Sequence, residues 1–157
     1  MSNNLTVTPH VADEAINLLQ VTNYEPLLMN GSANAELITA MERKLKGLIP
    51  FVIETDPEAI SYIEKLVLNE VIQCAIIEEE NADKYSHLVA DFSKLSGPEL
   101  IKQLNKNAER VSVKGRFVAI IPTTNTVAFK AFVKTYDAWT ETSLLNDKIS
   151  FVCLNKR

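Results

Sequence analysis

Two histidines and two cysteines are the side chains in this sequence that are best suited to metal binding or nucleophilic catalysis. His10 directly follows Pro9 near the start of a predicted helix, and His87 lies in a predicted strand. Neither histidine has a second His, Cys or carboxylate at the spacing that a metal site requires. Cys74 and Cys153 lie in apolar segments, where a free cysteine packs as a small hydrophobic side chain. The sequence therefore predicts no metal site and no Ser-His-Asp or Cys-His catalytic arrangement.

The glycines argue against a phosphate-binding cofactor. Backbone approaches a phosphate most easily at glycine, and phosphate-binding loops therefore contain several of them. This chain has four glycines, which do not pair as Gly-x-Gly and are not followed by a phosphate-binding lysine: Gly31, Gly47, Gly97 and Gly115. We therefore expect no cofactor and assign no catalytic residue.

A run of three carboxylates, Glu78, Glu79 and Glu80, could be interpreted as a cation site or as a solvated turn. Successive side chains of a strand point to alternate faces, so the three do not converge on one ion. Charged residues at a strand end also keep the strand from pairing with other chains. The solvated turn is the interpretation that the pattern favours.

Opposite charges are concentrated in the two parts of the chain. Residues 1–97 contain 15 acidic and 6 basic side chains, whereas residues 98–157 contain 5 acidic and 10 basic ones. The acidic part includes the three carboxylates of residues 78–80. The basic side chains are densest at five positions, which we take as a candidate interaction surface together with these carboxylates: Lys102, Lys106, Arg110, Lys114 and Arg116.

Three interpretations of this segregation remain open. The two charged parts could neutralise each other within one fold, or they could join copies of the chain head to tail. The basic part could also bind nucleic acid from the face of a sheet. The sequence isoelectric point of about 5.2 argues against nucleic acid, because affinity for phosphates needs a positive footprint.

Helix and strand signals indicate a single mixed α+β domain over residues 1–157. A length of 157 residues fits one domain and buries enough surface without disulfides. Cap residues followed by proline predict helices that begin at Pro9 and Pro57. The hydrophobic pattern predicts further helices near residues 37–45, 97–108 and 126–136, and strands at 48–54, 70–79, 85–92, 111–121 and 149–154.

The order of these elements from about residue 48 to 121 is strand, helix, strand, strand, helix, strand. This order predicts a ferredoxin-like βαββαβ centre, with two helices before it and one helix and one strand after it. In this arrangement, residues 70–79 and 85–92 form a hairpin. The alternative is a single long helix over residues 57–92, because short apolar runs fit either period.

These observations lead to the hypothesis of a non-catalytic interaction or assembly protein, self-associating through its charged faces and fit for a larger particle such as a virus or secretion machine. A small nucleic-acid-binding or regulatory domain is the alternative. The third possibility is an enzyme with scattered site residues, for which Glu54, Tyr85 and His87 are the candidates. The absence of a signal sequence and of a long apolar run predicts a cytoplasmic protein that does not bind membranes.

Overall fold

A mostly parallel sheet of seven strands organises the described part of the chain. The structure is a computed structural model that describes residues 8–21, 26–31, 34–44, 49–78, 84–95, 97–122, 138–144 and 149–156. Its elements are, in chain order, α1 (Pro9–Leu19), β1 (Leu27–Gly31), α2 (Asn34–Lys44), β2 (Phe51–Ile53), α3 (Pro57–Leu68), β3 (Ala75–Ile77), β4 (Tyr85–Asp91), α4 (Gly97–Ala108), β5 (Val111–Pro122), β6 (Ala138–Leu144) and β7 (Ile149–Lys156).

The strand order across the sheet is β3-β2-β1-β4-β5-β7-β6. Strands β1 to β5 run parallel to one another, and β7 lies antiparallel between β5 and β6. The chain adds strands outward in one direction from β1 to β3 and then returns to the other side of β1 with β4. The order therefore reverses between β1 and β4, which is where parallel α/β sheets form a crevice.

The helices lie on both faces of this sheet. One apolar core joins α1, α2 and Ile63 of α3 to one face, through sheet residues such as Met29 and Val89. The other core joins α4 to the opposite face, through residues such as Leu28 and Leu88. Alternate residues of β1 and β4 thus enter different cores, as the strand period of two requires. Among the described residues, no helix is long and apolar enough to cross a membrane.

The predicted ferredoxin-like centre is wrong. Strand β3 pairs with β2 and β4 pairs with β1, both in parallel, so β1 and β2 separate the two segments that were predicted to form a hairpin. The single long helix over residues 57–92 is wrong as well, since α3 ends at Leu68. The error began at β1, whose apolar part is only Leu27–Met29 and for which no strand was predicted. A parallel strand buried on both faces gives a short apolar run and no alternation.

The helix starts that capping residues predicted are confirmed. The Thr8 side chain accepts a hydrogen bond from the Val11 amide at 3.3 Å, and Pro9 opens α1. Helix α3 begins at Pro57 directly after Asp56. Helix α4 spans the predicted residues 97–108. The helix predicted at 126–136 lies outside the described residues.

The two cysteines lie far apart in the sheet and are free thiols. Cys74 directly precedes β3, an edge strand, whereas Cys153 lies in β7 on the other side of β1. Burial raises the pKa of the Cys74 thiol above its ordinary value, because an apolar environment disfavours the thiolate.

Substitution of Gly115 tests how closely β4 packs against β5. A Cβ atom at this position would lie 2.7 Å from Val111 Cγ1 and 2.8 Å from the backbone oxygens of Ser112 and Ser86. Because two of these atoms belong to the backbone, we expect Gly115→Ala to lower the free energy of unfolding by about 2–3 kcal/mol. Exposed Val113 is the control, and Val113→Ala should change it by less than about 0.5 kcal/mol. Urea unfolding measures both, and equal stabilities would contradict this packing.

Candidate functional site

A cleft of about 340 Å³ lies where the strand order reverses. Asn30 at the end of β1, Glu54 directly after β2 and Asp91 at the end of β4 line it. Glu99 and Gln103 of α4 form the adjoining wall. All three strands are parallel, so the cleft lies at their carboxyl ends. This is the position at which open α/β sheets bind small ligands.

Glu54 is placed by the strand and the helix on either side of it. Ile53 ends β2 in a buried position, and Pro57 starts α3 after the capping residue Asp56. The chain therefore turns at Glu54, whose half-buried side chain lines the cleft. One carboxylate oxygen accepts a weak hydrogen bond of 3.4 Å from the Asp56 amide. An acidic residue about 20 positions after the first β–α turn is the group that binds a ribose hydroxyl in dinucleotide-binding sheets.

Asp91 fixes the loop that follows β4. Its side chain is 5% exposed and accepts hydrogen bonds from the Ser93 amide at 3.0 Å and from the Ser93 hydroxyl at 2.6 Å. These bonds fold the chain tightly over Phe92, which enters the α4 core. Lys94, which follows Ser93, lines the cleft. The loop is therefore held by its own carboxylate and is a rigid wall of the site.

The cleft carries more negative than positive charge. Glu54, Asp91 and Glu99 contribute carboxylates, and Lys94 is the single cationic side chain among the described lining residues. The sequence from the end of β1 to the start of α2 contains one glycine, Gly31, and therefore lacks the pattern of a glycine-rich phosphate cradle. Such a site favours a cationic or hydroxyl-bearing ligand and disfavours a phosphorylated one. Among the described residues, no group of three metal-ligating side chains is present.

Of the three residues named for an enzyme with scattered site residues, the structure places only Glu54 in the cleft. Tyr85 starts β4, and its ring lies 5.7 Å from that of Phe51. His87 is buried in the first half of β4, with Nδ1 3.1 Å from the Ser86 hydroxyl. Both lie toward the amino edge of the parallel strands. They are about 13–20 Å from Asp91 along the strand, at about 3.3 Å per residue.

The structure does not bring the five basic residues onto one face. Lys102 and Lys106 are exposed on α4, and Lys114 is exposed in β5. Arg110 is directed toward α4, where it donates to Asn107. Arg116 is buried on the opposite face of the sheet and donates to the Leu18 carbonyl of α1 and, at 2.9 Å, to Asn155.

The acidic run is only partly described. Glu78 is exposed directly after β3. Glu79 and Glu80 lie outside the described residues. The candidate surface that combines them with the basic residues therefore stays a prediction.

Sequence reasoning missed Asn30, Asp91, Glu99 and Gln103. Two signals could have located them. The apolar run before Asn30-Gly31 precedes a helix, and Ile53-Glu54 precedes the helix start Asp56-Pro57. Read together, they indicate two neighbouring strand–turn–helix units with polar residues at the strand ends.

Solved structures share this fold across nearly the whole chain. Precorrin-6y C5,15-methyltransferase from Geobacter metallireducens has a TM-score of 0.77 and 12% identity, with 100% of this chain and 93% of that chain covered. A predicted O-methyltransferase from Agrobacterium tumefaciens has a TM-score of 0.77 and 11% identity, with 92% and 80% covered. An rRNA methylase from Streptococcus thermophilus has a TM-score of 0.62 and 18% identity, with 91% and 93% covered.

No protein-family model matches the chain, and no curated protein matches it by sequence. At these identities the structural likeness shows the fold, which is the Rossmann-like fold of methyltransferases. The three proteins named above are described as methyltransferases or methylases, and this contradicts the hypothesis of a non-catalytic assembly protein. The expectation of a viral or structural particle component is likewise without support.

Substitution of Arg116 tests whether this basic residue stabilises the fold or belongs to an exposed interaction surface. Arg116→Met removes two charge-assisted hydrogen bonds and leaves a carbonyl and an amide without their donor. We expect it to lower the free energy of unfolding by about 2–4 kcal/mol. Lys114→Met, at an exposed position in the same strand, should change it by less than about 0.5 kcal/mol. Chemical unfolding measures both, and an equally stable Arg116 variant would show that this side chain faces solvent.

Proposed function

We propose that this chain is a methyltransferase that binds S-adenosylmethionine in the cleft at the carboxyl ends of β1, β2 and β4. The observation that carries the proposal is Glu54, which lies directly after β2 beside the point where the strand order reverses. Its carboxylate would accept hydrogen bonds from the two hydroxyls of a ribose. The methyltransferase fold of the structural neighbours supports the same ligand class.

The charge of the cleft fits this ligand. S-adenosylmethionine carries a positive sulfur and an ammonium group against one carboxylate, and it contains no phosphate. The carboxylates of Glu54, Asp91 and Glu99 outnumber the one lysine and attract such a cation. The single glycine at the end of β1, which argues against a phosphorylated nucleotide, is no obstacle to a nucleoside without phosphates.

The volume of the cleft also fits. Small-molecule sites occupy roughly 300–1,000 Å³, so a cleft of about 340 Å³ lies at the compact end of that range. Apolar surface from Ile53, Phe92 and Leu95 provides the walls against which a flat base can pack.

When bound, S-adenosylmethionine would supply the methyl group of its sulfonium. The bond between the sulfur and the methyl carbon would break as that carbon bonds to an acceptor, and the sulfur would leave as part of a neutral thioether. The protein's part in such a reaction is to hold donor and acceptor in line. The loop fixed by Asp91 and Ser93 gives the cleft one rigid wall for this purpose. The carboxylates stabilise the cationic ground state, so positioning rather than charge must provide the rate enhancement.

The methyl acceptor is set by features outside the shared sheet. The structural neighbours are described as acting on a precorrin and on rRNA, although their folds are alike. Fold therefore does not select the acceptor.

We further propose that the protein works in the cytoplasm, where free thiols such as Cys74 and Cys153 persist.

Ligand binding tests this proposal. In isothermal titration calorimetry, the wild-type chain should bind S-adenosylmethionine and the product S-adenosylhomocysteine. Glu54→Gln should weaken both about 10- to 100-fold, because it removes a charged acceptor for the ribose hydroxyls. Glu58→Gln is the matched control, since Glu58 is an exposed carboxylate in the first turn of α3. Its affinity should equal that of the wild type.

ATP provides the second comparison. It shares the adenosine group but carries a triphosphate that the negative cleft repels, so we expect at least about tenfold weaker binding. Wild-type protein that binds ATP more tightly than S-adenosylmethionine would contradict the assignment. So would equal effects of the Glu54 and Glu58 substitutions.

A further inference from the structure

Helix α3 buries little of its apolar surface. It has seven apolar side chains among its twelve residues, and Ile63 is the one that is fully buried. Helix α1, with eleven residues, buries five side chains in the same core. Val67 and Leu68, in the last turn of α3, are 38% and 81% exposed, and Val71, shortly after the helix, is 52% exposed. Apolar surface concentrated in one place is typical of a contact with another molecule.

A groove of about 400 Å³ lies between the end of α3 and the strand β3. The helix and the strand each contribute side chains to its lining, which are Glu64, Val67, Leu68, Cys74 and Ile76. Four of these five side chains are apolar or a thiol, so the groove accepts an apolar side chain from outside. Leu68 is itself such a side chain and projects from the same surface.

The strand beside this groove has an open edge. Among the described strands, β3 pairs with β2 alone and ends the sheet. The Ala75 amide donates to the Pro50 carbonyl, directly before β2, at 3.0 Å. Peptide groups alternate in direction along a strand, so the N–H and C=O of Ile76 point to the open edge. The segment Ala75–Ile77 carries no charge and no proline that would keep this edge from pairing.

We propose that a second copy of this chain occupies the edge, with the two β3 strands paired antiparallel about a two-fold axis at Ile76. A peptide strand from another protein would pair with the edge but would leave the end of α3 exposed. A second copy supplies a strand and a helix together. Because the groove and the projecting Leu68 lie on one surface, that surface is complementary to itself. The proposal goes beyond the proposed function and does not depend on it.

The spacing of strands and helices fits this axis. Neighbouring strands lie about 4.8 Å apart, so the axis would lie about 2.4 Å beyond β3. Helix α3 connects β2 to β3, and a helix over the gap between these strands lies about 5 Å from the axis. The two copies of α3 would then lie antiparallel on one face of a continuous sheet, about 10 Å apart. Helices pack against each other at about 8–10 Å, so one axis joins both the strands and the helices.

The charge after β3 favours the antiparallel direction. Glu78 is exposed directly after the strand. In a register centred on Ile76, each Glu78 lies opposite the partner's Cys74, and the two carboxylates are about 14 Å apart along the strands. Parallel pairing would place both carboxylates at one end, where they would repel each other. A short strand and the end of one helix form a small interface, for which we expect a Kd of about 10 μM.

Light scattering coupled to gel filtration measures the association. At about ten times this Kd, most of the protein should have twice the 17.5 kDa mass of one chain, and at about one tenth of it the protein should be monomeric. Leu68→Glu should raise the Kd about 10- to 100-fold, because it buries a carboxylate from each copy. The position is exposed, so we expect the variant to fold.

Tyr62→Glu is the matched control for this substitution. Tyr62 is 56% exposed on the same helix but lies about 120° around it from Leu68 and does not line the groove. Its Kd should stay within about twofold of the wild-type value.

Amide hydrogen exchange tests the strand pairing itself. The Ile76 amide would donate to the second copy, so it should exchange at least about tenfold more slowly in the dimer than in Leu68→Glu at the same concentration. The Ala75 amide is bonded within the chain and is the internal reference. Its exchange should be alike in both proteins.

Every other outcome would overturn the proposal. A monomer at all these concentrations would do so, and slow exchange of its Ile76 amide would show that the chain covers its own edge. A dimer that Leu68→Glu leaves intact, or that Tyr62→Glu weakens equally, would place the interface elsewhere. A dimer whose Ile76 amide exchanges rapidly would exclude the strand pairing. Affinity for S-adenosylmethionine, measured separately, tests the proposed function alone.

Discussion

Strand β1 is paired in parallel on both of its sides, and the cleft depends on this constraint. Parallel neighbours end at the same edge of a sheet, so β1, β2 and β4 deliver their last residues to one place. The chain leaves β1 and β2 for helices on one face and leaves β4 for α4 on the other. The departing helices diverge there, and the gap between them is the site.

The chemistry of that gap follows from which residues end the strands. Asn30, Glu54 and Asp91 provide oxygen acceptors, and two of the three are tied to neighbours that fix their direction. The scarcity of glycine predicted from the sequence that no cofactor is bound. Beside this cleft, it argues against phosphorylated ligands and not against every cofactor. It disfavours phosphates, whose negative charge the carboxylates also repel, and it leaves room for a cationic nucleoside.

Helices were easier to predict from the sequence than the sheet, for a local reason. Thr8-Pro9 and Asp56-Pro57 mark helix starts by contacts within a few residues. Strand pairing depends on partners far along the chain, and the three apolar residues of β1 give a weak signal once both faces are buried. The sequence identified Glu54 as a candidate site residue, but together with Tyr85 and His87, which do not line the cleft. Asn30 and Asp91 become meaningful only when their strand ends are neighbours.

Mapping the ligand onto the backbone amides tests the central claim most directly. In ¹⁵N-resolved NMR spectra recorded during addition of S-adenosylmethionine, the largest shifts should fall on Gly31, Glu54 and Phe92, at the ends of three different strands. Amides at the opposite edge of the sheet, such as those of Tyr85 and His87, should shift little. Shifts confined to other surfaces, or none at saturating ligand, would contradict a donor site at the reversal between β1 and β4.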